Sequence, residues 1–332
     1  MRTRVGLMIA WFVRNHHSMT ANPQAPGTGP VVVALGGNTL LGSDGDWTFE
    51  AQRTAIERTA ARIARGVDAG HDLVLTHGNG PQVGNLLLEQ DHVAETPRRP
   101  LDVLVAETQA QIGYLLQQRL DDALDGRPDF LTIVTQTVVD PDDPAFEEST
   151  KPIGPYYTAA EAAETDFETR AVRDDEPRYR RVVPSPAPID VIEADEIARL
   201  VAAGNLVICA GGGGVPVTRG PLTGIEAVVD KDATAALLAG ELGAERLIVL
   251  TDVPYVYRRY GKPDQEPIRE PTVEELRALL DDGAFPPGSM NPKVQACLDF
   301  IANGGDVAVI TEPERFEDAL NGTDGTVVRS GA

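Results

Sequence analysis

Three times in this chain a run of consecutive apolar, mostly β-branched residues ends abruptly in glycine. Val31-Val32-Val33-Ala34-Leu35 runs into Gly36-Gly37-Asn38, and Leu73-Val74-Leu75-Thr76 into His77-Gly78-Asn79-Gly80-Pro81. The third, Leu206-Val207-Ile208-Cys209-Ala210, runs into Gly211-Gly212-Gly213-Gly214. A run that is apolar at every position marks a strand covered on both faces, which points to a parallel sheet between layers of helix. The sequence between the runs agrees: residues 48–68 place Ile56, Ile63 and Val67 on one helical face and stop at Gly70. Further helices are expected over 101–124, 232–242, 273–280 and 292–302, and further strands over 131–139, 247–251 and 307–311. This rhythm is that of a doubly wound α/β sheet. Between 140 and 181 it gives way to acidic, Pro-containing sequence. That stretch is too long for an ordinary connection and is expected to be a small subdomain or a functional flap.

Glycine turns after buried strands put backbone N–H groups at the carboxyl edge of the sheet, where open α/β folds bind ligands. Successive N–H groups beside a helix N-terminus make a cradle for phosphate. One such turn is as readily a tight turn with no ligand; three in one chain point to a polyanion. The usual schemes for holding one are absent. There is no GxxxxGK[ST] run, and the first strand is followed by GGNTLLG, which lacks the GxGxxG dinucleotide fingerprint. HExxH, GxSxG and paired His/Cys metal spacings are also missing.

Charge narrows the partners. The 332 residues hold 51 acidic and 29 basic side chains, a formal net charge of −22. Nucleic acid and anionic membrane both require a basic face, so neither is expected as a partner. Dense carboxylates fit a salt-adapted cytosol, where salt screens their repulsion; a GC-rich genome writing Arg for Lys gives a similar composition. The two cysteines, Cys209 and Cys297, lie in no metal-ligand spacing, and a reduced compartment follows. Residues 1–29 stand apart. Their apolar stretch, residues 5–13, is too short to span a membrane and lacks a convincing cleavage site. A true start at Met19, followed by a short tail, is the simpler reading.

A nucleoside triphosphate in so acidic a chain needs fixed positive charge. The chain has four lysines, Lys151, Lys231, Lys262 and Lys293. Lys231 and Lys293 fall at expected helix starts, where a cation opposes the helix dipole unless it has a partner. Most lysines are simply solvated, but scarcity and this placement favour a functional role for these two; for Lys151, in the irregular stretch, the balance is even. Asp232 could orient the lysines, help hold Mg²⁺, or cap the helix. Asp252 could contact nucleotide or metal, or start a turn. His77, Asn38 and Asn79 have plain structural readings within their turns.

Together these segments resemble the carbamate kinases of the amino-acid-kinase superfamily over residues 30–332. VVVALGGNTL, CAGGGGVPV, VVDKDATA and LTDVPYVY are shared loosely across the superfamily. THGNGPQVG, TKPIGPYY and GSMNPKV are particular to carbamate kinases, which commonly have Gly or Ala where Asn291 stands. The first 29 residues have no counterpart. The resemblance implies an open three-layer αβα sandwich on a mainly parallel eight-stranded sheet, acetylglutamate-kinase-like, working as a cytoplasmic homodimer. It implies a carbamate-binding lobe over 30–220, with a protruding subdomain at about 140–181, and a nucleotide-binding lobe over 221–332. By motif, Lys151, Lys231 and Lys293 would surround the transferred phosphoryl group, with Asp232 organising them. Gly36, Gly37, Asn38, Gly78, Asn79, Gly80, Gly212 and Gly213 would contact phosphate and carbamate. Asp252, Met290 and Lys293 would contact ATP or ADP, and Mg²⁺ would be held mainly by nucleotide phosphates. The implied reaction exchanges a phosphoryl group between ATP and carbamate, commonly toward ATP in arginine fermentation. Rivals are a catalytically silent module of the same fold and a kinase for another small carboxylate.

Overall fold

The all-apolar runs become neighbours at the centre of one sheet, in a computed structural model that describes residues 29–37, 40, 48–92, 97–125, 129–171, 178–285 and 289–331. The expectations for Asn38 and for residues 1–28, the Met19 start included, lie outside the described residues. The strands run β1 (Val31–Leu35), β2 (Leu73–His77), β3 (Phe130–Thr132), β4 (Gln136–Val139), β5 (Lys151–Tyr157), β6 (Thr169–Ala171), β7 (Tyr179–Val183) and β8 (Pro188–Val191). They continue as β9 (Leu206–Ile208), β10 (Val215–Thr218), β11 (Thr223–Gly224), β12 (Arg246–Leu250), β13 (Val256–Arg258), β14 (Glu266–Ile268), β15 (Val307–Thr311) and β16 (Thr326–Arg329). The helices are α1 (Phe49–Asp68), α2 (Gly80–His92), α3 (Leu101–Ala123), α4 (Ala159–Ala162) and α5 (Ala194–Ala202). After them come α6 (Lys231–Glu241), α7 (Val273–Asp281), α8 (Met290–Ala302) and α9 (Phe316–Leu320).

The central sheet has the order β16-β15-β12-β1-β2-β9-β3, parallel throughout except for the last strand, β16. Successive side chains of a strand point to opposite faces, and both faces are covered. Val32, Ala34, Val74, Leu247 and Ile310 pack under α6 and α8 with Leu238, Val294 and Phe300. Val31, Val33, Leu35, Leu75 and Val309 pack under α1 and α3 with Ile56, Ile63, Ile112 and Leu116. The three-layer αβα sandwich is therefore as expected.

The strand count differs: seven in the central sheet among the described residues, against eight expected. The single strand expected over 131–139 is divided between two sheets. β3 edges the central sheet, while β4 joins a four-stranded sheet of order β11-β10-β4-β8. The break between them is fastened by Gln109 of α3, whose side chain donates to the Thr135 carbonyl and accepts from the Thr135 N–H, both at 3.0 Å. Residues 140–181 are not irregular throughout. They supply β5, β6 and most of β7, a separate antiparallel sheet of order β5-β7-β6. α2 starts directly at Gly80, where the sequence shows only a turn.

From β1 the sheet grows one way through β2 and β9, and the other way through β12 and β15. A crevice opens beyond the carboxyl ends of the strands where the order reverses in this way.

Candidate active site

The crevice beyond β1 and β2 is a cleft of about 720 Å³. Gly37, Gly78, Asn79, Gly80 and Gly212 line it with backbone or amide, and Lys151, Lys231, Asp232 and Lys293 with charged side chains. The strands deliver the glycine turns, α6 and α8 deliver Lys231 and Lys293 from their first turns, and β5 brings Lys151 from the three-stranded sheet. Gly212 is needed for itself: its φ is +64°, and a Cβ there would lie 2.2 Å from Asn79 Nδ2. Asn79 donates from that nitrogen to Thr108 Oγ1 at 2.9 Å, which fixes the turn to α3. Gly36 and Gly213 do not line the cleft. Gly213 lies beneath it, where its carbonyl accepts the Thr137 and Thr234 hydroxyls at 2.8 and 3.0 Å.

His77 is buried, and burial pushes its imidazole down to about 4, with Lys231 nearby lowering it further. It is therefore neutral, its Nδ1 donating to the Gly78 carbonyl at 3.1 Å. A Cβ on Gly211 would meet the ring at 2.4 Å. This histidine is a packed strut under a glycine turn.

Asp232 is the hub of the charges. It is 3% exposed, and its two oxygens are taken by two lysines: Oδ1 accepts from Lys231, and Oδ2 from Lys293 at 2.9 Å. Burial raises a carboxyl, but here the two ammoniums outweigh it and hold Asp232 well below the usual carboxylate range. Burial and the Lys293 charge lower Lys231, against the opposing pull of Asp232, whereas the attraction of Asp232 wins over burial at Lys293 and raises it. The helix cap, one of the readings open for Asp232, belongs to Asp230. Oδ1 of Asp230 accepts from the Asp232 and Ala233 N–H groups at 2.9 and 3.2 Å, while its Oδ2 pairs with Lys151. Three ammoniums and two carboxylates thus leave one net positive charge, facing backbone N–H groups and the start of a helix. That arrangement attracts a polyanion.

Asp252 and Met290 line an adjoining pocket of about 590 Å³ together with Tyr257, Tyr260 and Phe285, and Ser289 borders both spaces. Lys293 belongs to the first cleft only. The pair reads as a phosphate site opening into a slot for a flat apolar group. Sequence reasoning passes over Asp230, Ser289, Tyr257, Tyr260 and Arg180, the last lining the cleft from β7. An Asp directly before the observed first helical residue, Lys231, is a capping signal for Asp230. Nothing in a strand reading Tyr-Arg-Arg-Val-Val singles out Arg180.

The Amino acid kinase family model matches residues 29–312. The carbamate kinase of Halobacterium salinarum is 51% identical over 301 residues, covering 90% of this chain and 97% of that one. The chain belongs to the carbamate kinases of the amino acid kinase family. The carbamate kinase of Pyrococcus furiosus is 44% identical over 308 residues, or 90% of this chain and 98% of that one. Among solved structures, the carbamate kinase from Giardia lamblia bound to AMP-PNP matches with a TM-score of 0.81 at 39% identity, covering 91% of this chain and 99% of that one.

Proposed function

We infer that this carbamate kinase family member transfers a phosphoryl group reversibly between ATP and carbamate. The observation that carries the inference is one buried carboxylate, Asp232, holding Lys231 and Lys293 apart at a glycine cradle, with Lys151 reaching in from the subdomain. Phosphoryl transfer asks for in-line positioning and neutralisation of charge on the equatorial oxygens. Preorganised ammoniums and N–H groups supply both without reorganising. A carbamate oxygen is already anionic, so attack needs no general base, and neutral His77 is free to serve as structure.

In this proposal the glycine turns of the 30–220 lobe take carbamate and the transferred phosphoryl, and the 221–332 lobe takes nucleotide. In this reading the aromatic slot with Asp252 and Met290 receives the base and ribose, and the AMP-PNP complex of the Giardia relative supports a nucleotide as ligand. Mg²⁺ offsets charge on the phosphates. Both Asp232 oxygens are engaged by lysines, and among the described residues no three His, Cys, Asp or Glu side chains converge on a cation. In this proposal the ion is carried on nucleotide oxygens. No described helix is long and apolar enough to cross a membrane. We place the chain in the cytoplasm as a homodimer adapted to salt, making ATP from ADP and carbamoyl phosphate in arginine fermentation.

The test in the carbamate-consuming direction is ADP release from MgATP in concentrated salt, with ammonium carbamate, N-acetylglutamate or glutamate offered as acceptor. Release with carbamate alone is expected. Release only with another acceptor means a kinase for another carboxylate, and nucleotide binding with no release at all means a silent module.

A further inference from the structure

Among the described residues, one cation of the cleft has no counterion. Arg180, on β7, lines the cleft beside Lys151 and Lys293. Its Nε donates to the Gly154 carbonyl at 2.9 Å, and its guanidinium carbon sits 5.3 Å from the centre of the Tyr156 ring. Among the described residues neither terminal nitrogen has an acceptor, and no carboxylate is within ion-pair reach. Its neighbours in the subdomain are paired: Arg170 with Glu148 and Glu168, Arg181 with Asp91. In a chain with 51 acidic residues, an arginine that pairs with no carboxylate among the described residues and lines a cleft calls for an anion from outside. Burial pulls its pKa down, as an unpaired cation would show.

The backbone fixes where Arg180 points. β5 bulges against β7 between Ile153 and Tyr157, and Gly154 there has a φ of +70°. α2 presses on that bulge so closely that a Cβ on Gly84 would lie 1.9 Å from the Gly154 Cα. The carbonyl that anchors Arg180 is thereby set by contact with the main body, which holds the guanidinium fork in place before substrate arrives.

We propose that Arg180 binds the planar O–C–O end of carbamate and of the carbamoyl group, an assignment that rests on the phosphotransfer reading above. A guanidinium fork matches a planar pair of oxygens, whereas lysine ammoniums act as point charges suited to a tetrahedral phosphoryl group. In the ATP-forming direction the bond between phosphorus and the carbamoyl oxygen breaks, and the phosphoryl group passes to a β-phosphate oxygen of ADP. The electron pair stays on the departing carbamate, whose charge spreads over both its oxygens. Hydrogen bonds from Arg180 strengthen as that charge grows, which lowers the barrier. In the opposite direction the same fork orients the carbamate through both oxygens, and the attacking oxygen uses a lone pair that the fork leaves open.

The test is steady-state ATP formation by wild type, Arg180→Lys and Arg180→Ala, varying carbamoyl phosphate at saturating MgADP and then the reverse. Arg180→Ala should lose about 100-fold in kcat/KM for carbamoyl phosphate and Arg180→Lys about tenfold, the scale of one or two hydrogen bonds to a charged group. KM for ADP should stay within about twofold in both. An equal rise in KM for the two substrates would assign Arg180 to holding the subdomain together and overturn the proposal, as would wild-type kinetics in both variants. Should thermal melting show that Arg180→Ala is unfolded, Arg180→Lys decides, because lysine can still donate to the Gly154 carbonyl. Wild-type protein that makes no ATP overturns the phosphotransfer reading and this assignment with it; active wild type with unaffected variants overturns the assignment alone.

Discussion

Replacing Asp232 by asparagine would remove the counterion of two lysines at once. Lys293 Nζ lies 2.9 Å from Asp232 Oδ2, an attraction of about 6 kcal/mol at an effective dielectric constant near 20. Lys231 makes a second such contact, and it is only 9% exposed. Much of this attraction offsets the cost of dehydrating the charges, so the expected loss of stability is about 3–5 kcal/mol, the usual result of breaking one side of a buried pair. The substituted amide would offer one oxygen to two ammoniums and point an N–H₂ donor at one of them. Turnover should fall by about 10²–10³ as the lysines splay from the phosphoryl position. The assay is thermal melting alongside initial rates, with and without sulfate or MgADP. An anion entering the cleft takes over part of the missing negative charge, so its stabilising shift should be larger in Asp232→Asn than in wild type. Unchanged melting with turnover within about threefold would refute the shared-counterion reasoning. So would an anion shift equal in the two proteins.

Other outcomes follow from the same geometry. Lys231→Ala and Lys293→Ala should each lose about 100-fold or more in turnover with native circular dichroism retained; near-normal rates in both would remove them from the reaction. Asp230 and Asp232 ionise below 3.8 in the folded chain and so bind fewer protons than the unfolded chain does. The stability they contribute is present above that pH and lost as pH falls below it. Acid unfolding followed by fluorescence should therefore be less steep in Asp232→Asn. Gly212→Ala forces a Cβ onto the Asn79 amide at an unfavourable φ, and should cost about 1–3 kcal/mol together with most activity. Dialysis to low salt should unfold a chain of net charge −22; full stability there would remove the salt-adapted reading.

The parts of the fold that were legible are those where one strand carries two apolar faces. β1 and β2 could be placed because odd and even positions are both buried, by different helical layers. The lysines could be singled out because a cation at a helix start is out of place without a partner, and Asp232 is the partner of both Lys231 and Lys293. What could not be read depends on contacts distant in sequence. The break between β3 and β4 is made by Gln109, 26 residues away, and no local pattern announces it. The β-turn chemistry of Gly80-Pro81 hid a helix start, since the same residues serve both. The cap considered for Asp232 falls to Asp230, because the helix starts one residue earlier than its apolar pattern suggests.

The most direct measurement is phosphorus NMR of purified protein in concentrated salt with MgADP and carbamoyl phosphate, against a protein-free control for spontaneous decay. The carbamoyl phosphate signal should be replaced by the γ-phosphate signal of ATP, one for one, and should decay only at the control rate with Lys231→Ala. Loss of carbamoyl phosphate to inorganic phosphate alone, at the control rate with folded wild-type protein, would contradict the assignment of phosphoryl transfer to this lysine cleft.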